Sequence, residues 1–363
     1  MASFSSDAIV NNTVSEGTDE HALLQALQLV NSYILPMTFK TAFELNLFNI
    51  ISAASPNPIS ATEITTLLPS STPSTPIMLD RILRLLSSYS IFTCSLSTDP
   101  ISGATTHLYA AAPAVKYLAQ NEDGFTLSTL GLMNQDKVLM ESWDYLKDAV
   151  LNGGIPFNMA HGMTSFEYHG TDPRFNKVFN EAMKNHSGII MKRILEKYRG
   201  FDDVKVLVDV GGGVGNTLAQ VVAKHKHINF DLPHVISEAP LIPGVEHVGG
   251  DMFNSIPKGD AILMKCVLHD WSDEDGLKIL KNCWKTLPKN GKLISVEYIR
   301  PTTPDNTNIT QYLSSLDMAM LAFNPGGKER TAQEFESMAK QIGFSSIKPK
   351  FSLTGLWLIE LYK

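Results

Sequence analysis

The sequence predicts an α/β fold: a doubly wound, mainly parallel sheet, preceded by a smaller helical module of winged-helix pattern. Three observations predict it. Apolar stretches of strand length alternate with helical patterns from about residue 206 onward. The first of these stretches, Leu207-Val208-Asp209-Val210, runs into four glycines within five positions, Gly211 to Gly215. The first third of the chain reads helix, helix, hairpin.

The elements follow in order. Residues 1–20 are rich in Ser, Asn and small residues and are expected to be disordered. A winged-helix-like module is expected over 21–120. From His21 to about Ile51 apolar residues recur at helical spacing, with Leu23, Leu24, Leu27 and Val30 on one face. Pro36 is expected to break that run before Phe39, Phe43, Leu47 and Ile50 continue it. Ser55 to Pro76 reads as loops around a short helix, Ile77 to Tyr89 as a helix, and Ile91 to Tyr109 as a hairpin turning near Asp99 to Gly103. A second domain is expected over 121–363. It begins with a helical region, Gly124 to Tyr198, carrying Met and aromatic residues at intervals. Strands follow at Val206–Val210, Ile228–Asp231, Val245–Gly250, Ala261–Lys265 and Lys292–Glu297, with a late one within Ser352–Tyr362.

Composition narrows the partners. The 363 residues carry a formal net charge of -7, and the helix that would read DNA in a winged-helix protein offers only Arg81 and Arg84, so nucleic-acid binding is not expected. Three scattered cysteines fit no metal or disulfide framework. The polar, acidic N-terminus lacks the pattern of a secretory signal, and no apolar stretch is long enough for a bilayer, so a cytoplasmic location without membrane attachment is expected.

The glycine run points to a nucleotide. A strand that stops in bare glycine lets a ligand lie against backbone, and Asp231 follows Gly211 at the distance of a ribose-binding acid. Two cofactor classes compete. A dinucleotide fingerprint needs a third glycine where Asn216 stands, which weakens the case for NAD. S-adenosylmethionine has no pyrophosphate to place on the helix, and its loop varies. Asp251 with Met252-Phe253 after the third strand suits an adenine, and Lys265 ends the fourth strand at the same crevice.

Several segments together resemble the plant small-molecule O-methyltransferases, the caffeic acid O-methyltransferase group above all. They are Leu207–Gly215, Asn229–Val235, Pro243–Phe253, Met264-Lys265, His269-Asp-Trp-Ser-Asp273 and Asn324–Arg330, with Met133–Trp143 and Phe166–Phe175 upstream. The resemblance runs from about residue 20 to the end. It implies a Rossmann-like methyltransferase domain, an N-terminal dimerisation domain and a homodimer. It implies S-adenosylmethionine as methyl donor, S-adenosylhomocysteine as its product, and no metal. It carries Gly211, Asp231, Leu232, Asp251, Met252 and Lys265 to the donor, and His269 to the general base, flanked by Glu297 and Glu329. The small phenolic substrate would be lined by Met133, Asn134, Leu139, Ser165, His169, Phe175, Phe179, Met183, His186, Ala319, Met320 and Asn324. The chemistry agrees: an oxygen nucleophile must be deprotonated in line with an activated methyl, and a carboxylate beside the imidazole would stabilise its cation.

Four positions depart from the group: Ser165 stands where alanine is usual, Cys266 for Trp, Phe323 for His, and Ala319 for isoleucine. Loss of the branched side chain at 319 leaves room for an acceptor wider than caffeate or 5-hydroxyferulate, such as a hydroxycoumarin or a furanocoumarin like bergaptol. The segment 223–228 is also a few residues shorter than in the group. The alternative reading is a catalytically silent relative that binds phenols or partners; an intact His269, Glu297 and Glu329 speak against it.

Overall fold

A computed structural model describes residues 19–221 and 227–363. The expectations for 1–18 and for most of the shortened segment fall outside these residues. Asp19 and Glu20, expected to be disordered, instead open the first helix, Asp19–Val30.

Contacts divide the chain into two compact units, with the division between Ala119 and Gln120. In the first, the helices Asp19–Val30, Ile34–Glu44 and Leu47–Ala54 precede the two-residue strand β1 (Ile59–Ser60). The helices Ala61–Thr66 and Thr75–Ser88 lead into the hairpin of β2 (Phe92–Thr98) and β3 (Thr105–Ala111), and β1 pairs with β3. This is the helix–helix–hairpin arrangement read from the sequence. Pro36 does not break the run as expected. The chain turns at residues 31–33, and Pro36 is the third residue of the next helix, where a missing N–H is harmless. Phe43, Leu47, Phe48, Ile51, Leu79, Leu83, Leu86 and Phe92 form the core here. The helix Asp19–Val30 buries nothing: Leu23, Leu24, Leu27 and Val30 are all exposed.

The second unit opens with short helices and the long helix Pro173–Lys197. The sheet contains β4 (Leu207–Val210), β5 (His227–Asp231), β6 (Val245–Gly249), β7 (Ala261–Lys265), β8 (Lys292–Tyr298), β9 (Ser346–Leu353) and β10 (Leu356–Tyr362). Their order is β6-β5-β4-β7-β8-β10-β9. The five strands from β4 to β8 are parallel; β10 runs antiparallel to both β8 and β9. Side chains alternate across the sheet. Val208, Val210, Ile262 and Met264 pack with Ile279, Leu280, Cys283, Phe335 and Met338 on one face. Leu207, Leu263, Ile294 and Val296 pack with Met191, Ile194, Leu218 and Leu313 on the other. Helices cover both faces, which is why the strands read as near-continuous apolar runs.

The late strand expected within Ser352–Tyr362 is two strands. Thr354 and Gly355 both have positive φ (48° and 84°) and form a two-residue hairpin turn. β9 escapes the apolar pattern because it is an edge strand, with Lys348, Pro349 and Lys350 all exposed.

Candidate active site

The order of the sheet makes the site. The chain runs outward from β4 through β5 to β6 on one side, and through β7 to β8 on the other. The C-terminal ends of strands diverging from such a switch point open a crevice. Gly211, Asp231, Asp251 and Lys265 all sit at or just beyond those ends.

At Gly211 the chain leaves β4 with φ +70°, and a Cβ there would lie 2.8 Å from Val267 Cγ2, so only glycine fits. The Asp231 carboxylate accepts the N–H of Gly213 and that of Leu232, each at 2.7 Å. Burial raises its pKa, against those two hydrogen bonds. Asp251 accepts the N–H of Phe253 at 2.9 Å and the side-chain amide of Asn254 at 2.8 Å. Asn282 Nδ2 pins the carbonyls of Met252 (2.9 Å) and Phe253 (2.8 Å). Each acid thus shapes its own loop while keeping lone pairs for a ligand. A glycine turn, two acids and a lysine around one crevice fit an adenosine-bearing donor with a cationic amino acid end. Among the described residues no group of three or more His, Cys, Asp or Glu is arranged to hold a metal ion.

His269 lies in a single 3-10 turn, Leu268–Asp270, between β7 and the helix Asp273–Thr286, which Ser272 caps through Asp275 N–H. The turn is held from several directions. Glu297 Oε1 accepts the N–H groups of Val267 (3.1 Å) and Leu268 (2.9 Å). Arg330 donates to the carbonyls of Leu268 (2.6 Å) and Trp271 (2.8 Å), and Lys328 N–H donates to that of His269 (2.9 Å). The imidazole Nδ1 lies 2.9 Å from Glu329 Oε1, a carboxylate with no exposed surface. A carboxylate can only accept, so Nδ1 carries the proton and Nε2 presents its lone pair in the neutral ring. The nearest acid to Nε2 is Asp270, at 3.5 Å. Burial pulls the His269 pKa down, but the charges of Asp270 and Glu329 outweigh it and hold the ring well above the ordinary histidine value.

The two glutamates expected beside the ring therefore divide their work. Glu329 takes the ring nitrogen, and Glu297 takes the backbone of the turn. Burial raises the pKa of Glu297, and its Oε2 has no partner. Glu329 is itself placed by Asp317, which accepts its N–H at 2.8 Å, and by Arg300, which donates to its carbonyl at 2.8 Å.

Beside Nε2 runs a polar chain. Ser165 Oγ donates to Asn324 Oδ1 (3.2 Å), and Asn324 Nδ2 donates to Asp270 Oδ1 (2.6 Å) and lies 3.4 Å from Met320 Sδ. Burial pushes Asp270 up to about 7. Met133, Leu139 and Phe175 share one apolar cluster with Phe179, Met183 and Phe323. The His169 ring stacks on Phe175 at 5.3 Å and lies 4.3 Å from Phe179. Phe175, expected on the pocket wall, has no exposed surface and supports His169 from behind. His186 Nε2 lies 3.4 Å from Tyr298 Oη. Burial lowers both histidines, His169 to about 4 and His186 to about 3, so both are neutral. Ala319 is half-buried, and Asn134 is exposed at the end of its helix, with no hydrogen bond to the group around His269.

Sequence reasoning assigned nothing to Asp270, Arg330 or Asp317. The first two lie inside quoted motifs, and Asp270 adjoins the histidine, which was the available signal. Asp317 carries no local mark.

Residues 143–345 match the O-methyltransferase domain family, and residues 27–121 match the O-methyltransferase dimerisation domain. Caffeic acid 3-O-methyltransferase 1 of Populus tremuloides is 56% identical, covering 97% of this chain and 97% of that protein. Esculetin O-methyltransferase of Kitagawia praeruptora is 54% identical, covering 95% of this chain and 96% of its own. The crystal structure of human N-acetylserotonin methyltransferase in complex with SAM has the same fold, with a TM-score of 0.77, 18% identity, and coverage of 96% of this chain and 99% of that one.

Proposed function

The chain belongs to the O-methyltransferase family, and from that membership we propose that it transfers the methyl group of S-adenosylmethionine to a phenolic hydroxyl, with His269 as general base. The acceptor is a small planar aromatic molecule with adjacent hydroxyls. The observation that carries this reading is an imidazole fixed on one nitrogen by Glu329, its other nitrogen open beside the chain Ser165–Asn324–Asp270.

When bound, S-adenosylmethionine supplies a sulfonium methyl already activated toward an oxygen nucleophile. Gly211, Asp231, Leu232, Asp251, Met252 and Lys265 would hold it. His269 takes the acceptor's hydroxyl proton at Nε2 while Glu329 keeps Nδ1–H and stabilises the imidazolium that forms. A phenol of pKa near 10 and an ordinary histidine near 6.5 leave ground-state transfer about 5 kcal/mol uphill. The carboxylates that raise His269 narrow that gap. Asp270 and Asn324 would hold a second hydroxyl of the acceptor, and Glu297 and Arg330 keep the turn in place.

The acceptors named for the relatives, caffeic acid and esculetin, support a caffeate-type phenylpropanoid or a hydroxycoumarin. Ala319 favours the wider of the two, including furanocoumarins. The exposed apolar face of Asp19–Val30 and the match to a dimerisation domain support a homodimer. Among the described residues no helix is long and apolar enough to cross a membrane, and the sequence grounds given above support action in the cytosol.

Transfer of labelled methyl to a panel of phenols, with product identification, tests the reading. The parent protein turns over at least one catechol-type acceptor and His269→Ala loses that turnover. No turnover on any acceptor would favour the silent relative.

A further inference from the structure

Behind the glycine turn lies a buried polar group that the proposed chemistry does not use. Asp209 of β4 and Asn229 of β5 are 1% and 0% exposed. The hydrogen bonds around Asn229 fix which way its amide points. His247 Nε2 lies 2.9 Å from the carbonyl of Pro240, which can only accept. The proton is therefore on Nε2, and Nδ1 of the neutral ring presents a lone pair. Asn229 Nδ2 faces that lone pair at 3.1 Å and the carbonyl of Gly213 at 2.8 Å. Both call for a donor, so both amide hydrogens are committed.

Asn229 Oδ1 is left without a donor, and so is Asp209 Oδ2. The two oxygens border the same small space: a Cβ on Gly212 would lie 2.1 Å from the first and 2.8 Å from the second. Two unpartnered acceptors bordering one buried space repel unless one carries a proton. Of the two, only the carboxyl can take it.

We propose that Asp209 is a positioning residue that works as a neutral acid, donating its proton to Asn229 Oδ1 and, through that amide, holding the Gly213 carbonyl so that the glycine turn keeps the shape that receives the methyl donor. The proposal rests on the donor-site reading above. Gly213 is then gripped at both ends of its backbone, by Asp231 on its N–H and Asn229 on its carbonyl. The surroundings favour the neutral form. Burial pushes Asp209 up to about 7; Lys265 of β7 opposes this and Asp231 of β5 reinforces it. His247 of β6 faces the Asn229 amide, whose oxygen borders the same space as Asp209.

The test is calorimetric binding of S-adenosylhomocysteine between pH 6 and pH 8. If only the protonated form holds the turn, the affinity of the parent protein falls about tenfold across this range. Asp209→Asn donates to Asn229 Oδ1 at every pH, and its affinity stays level. Parallel profiles for the two proteins, including two flat ones, overturn the proposal. No binding to the parent at any pH overturns the donor-site reading itself, and the proposal with it. Should Asp209→Asn fail to fold, binding to the parent at pH 8 is repeated in buffers of different ionisation enthalpy. Uptake of close to one proton per ligand is expected, and none would overturn the proposal.

Discussion

Replacing Glu329 by Gln removes a charge from His269 while leaving an acceptor of the same shape. The ring nitrogen and carboxylate oxygen are 2.9 Å apart, and the carboxylate has no exposed surface, so solvent screens the pair little. A hydrogen bond to a charged partner is worth about 1.5–3 kcal/mol against about 1 for a neutral one. The imidazolium thus loses about 1–2 kcal/mol, and a charge–charge value near 4 kcal/mol, for delocalised charges centred about 4 Å apart at an effective dielectric of 20, sets the upper bound. At about 1.4 kcal/mol per unit, the His269 pKa falls by about one to three units. The base must be neutral to accept a proton, so activity rises as pH rises through the His269 pKa, which lies well above the ordinary value. The assay is kcat/KM for a catechol acceptor against pH. The acidic limb of Glu329→Gln moves to lower pH by one to three units, and the plateau kcat falls by about ten- to a hundredfold as the forming cation loses its partner. A limb that stays in place, or moves to higher pH, would refute the assignment of Glu329 to the ring.

Glu297 should behave differently, because its carboxylate serves the backbone. Glu297→Ala leaves the N–H groups of Val267 and Leu268 buried and unpaired, a loss of about 1–3 kcal/mol each. The melting temperature should drop by several degrees. Glu297→Gln keeps an acceptor; it should melt near the parent and move the acidic limb to lower pH by less than Glu329→Gln does, because the His269 charge also acts on Glu297 but without a hydrogen bond, whereas a shift as large as that of Glu329→Gln would return Glu297 to the ring. Ala319→Ile restores branched bulk near Met320. A single methylene in an apolar pocket is worth about 1–3 kcal/mol of discrimination, so the ratio of catalytic efficiencies on a furanocoumarin and on caffeate should fall at least tenfold. An unchanged ratio removes position 319 from acceptor selection.

The parallel strands, the glycine turn and the winged-helix pattern were legible in the chain because each is local. Strands buried on both faces must be apolar along their length, a turn at φ +70° pressed against Val267 leaves room only for glycine, and a hairpin needs its turn residues in sequence. Local signals failed where packing competes with propensity. β9 carries Lys and Pro because it is an edge, and the first helices part at residues 31–33 rather than at Pro36. Tertiary structure alone decided which carboxylate meets which nitrogen. His269 and Glu329 lie 60 positions apart, Asp270 and Asn324 lie 54 apart, and Asn229 and Gly213 lie 16 apart. Hydrogen bonding and charge act over a few ångströms of space, whereas residue order constrains only near neighbours along the chain. A motif can therefore bring the right side chains to one crevice without stating which of them touch.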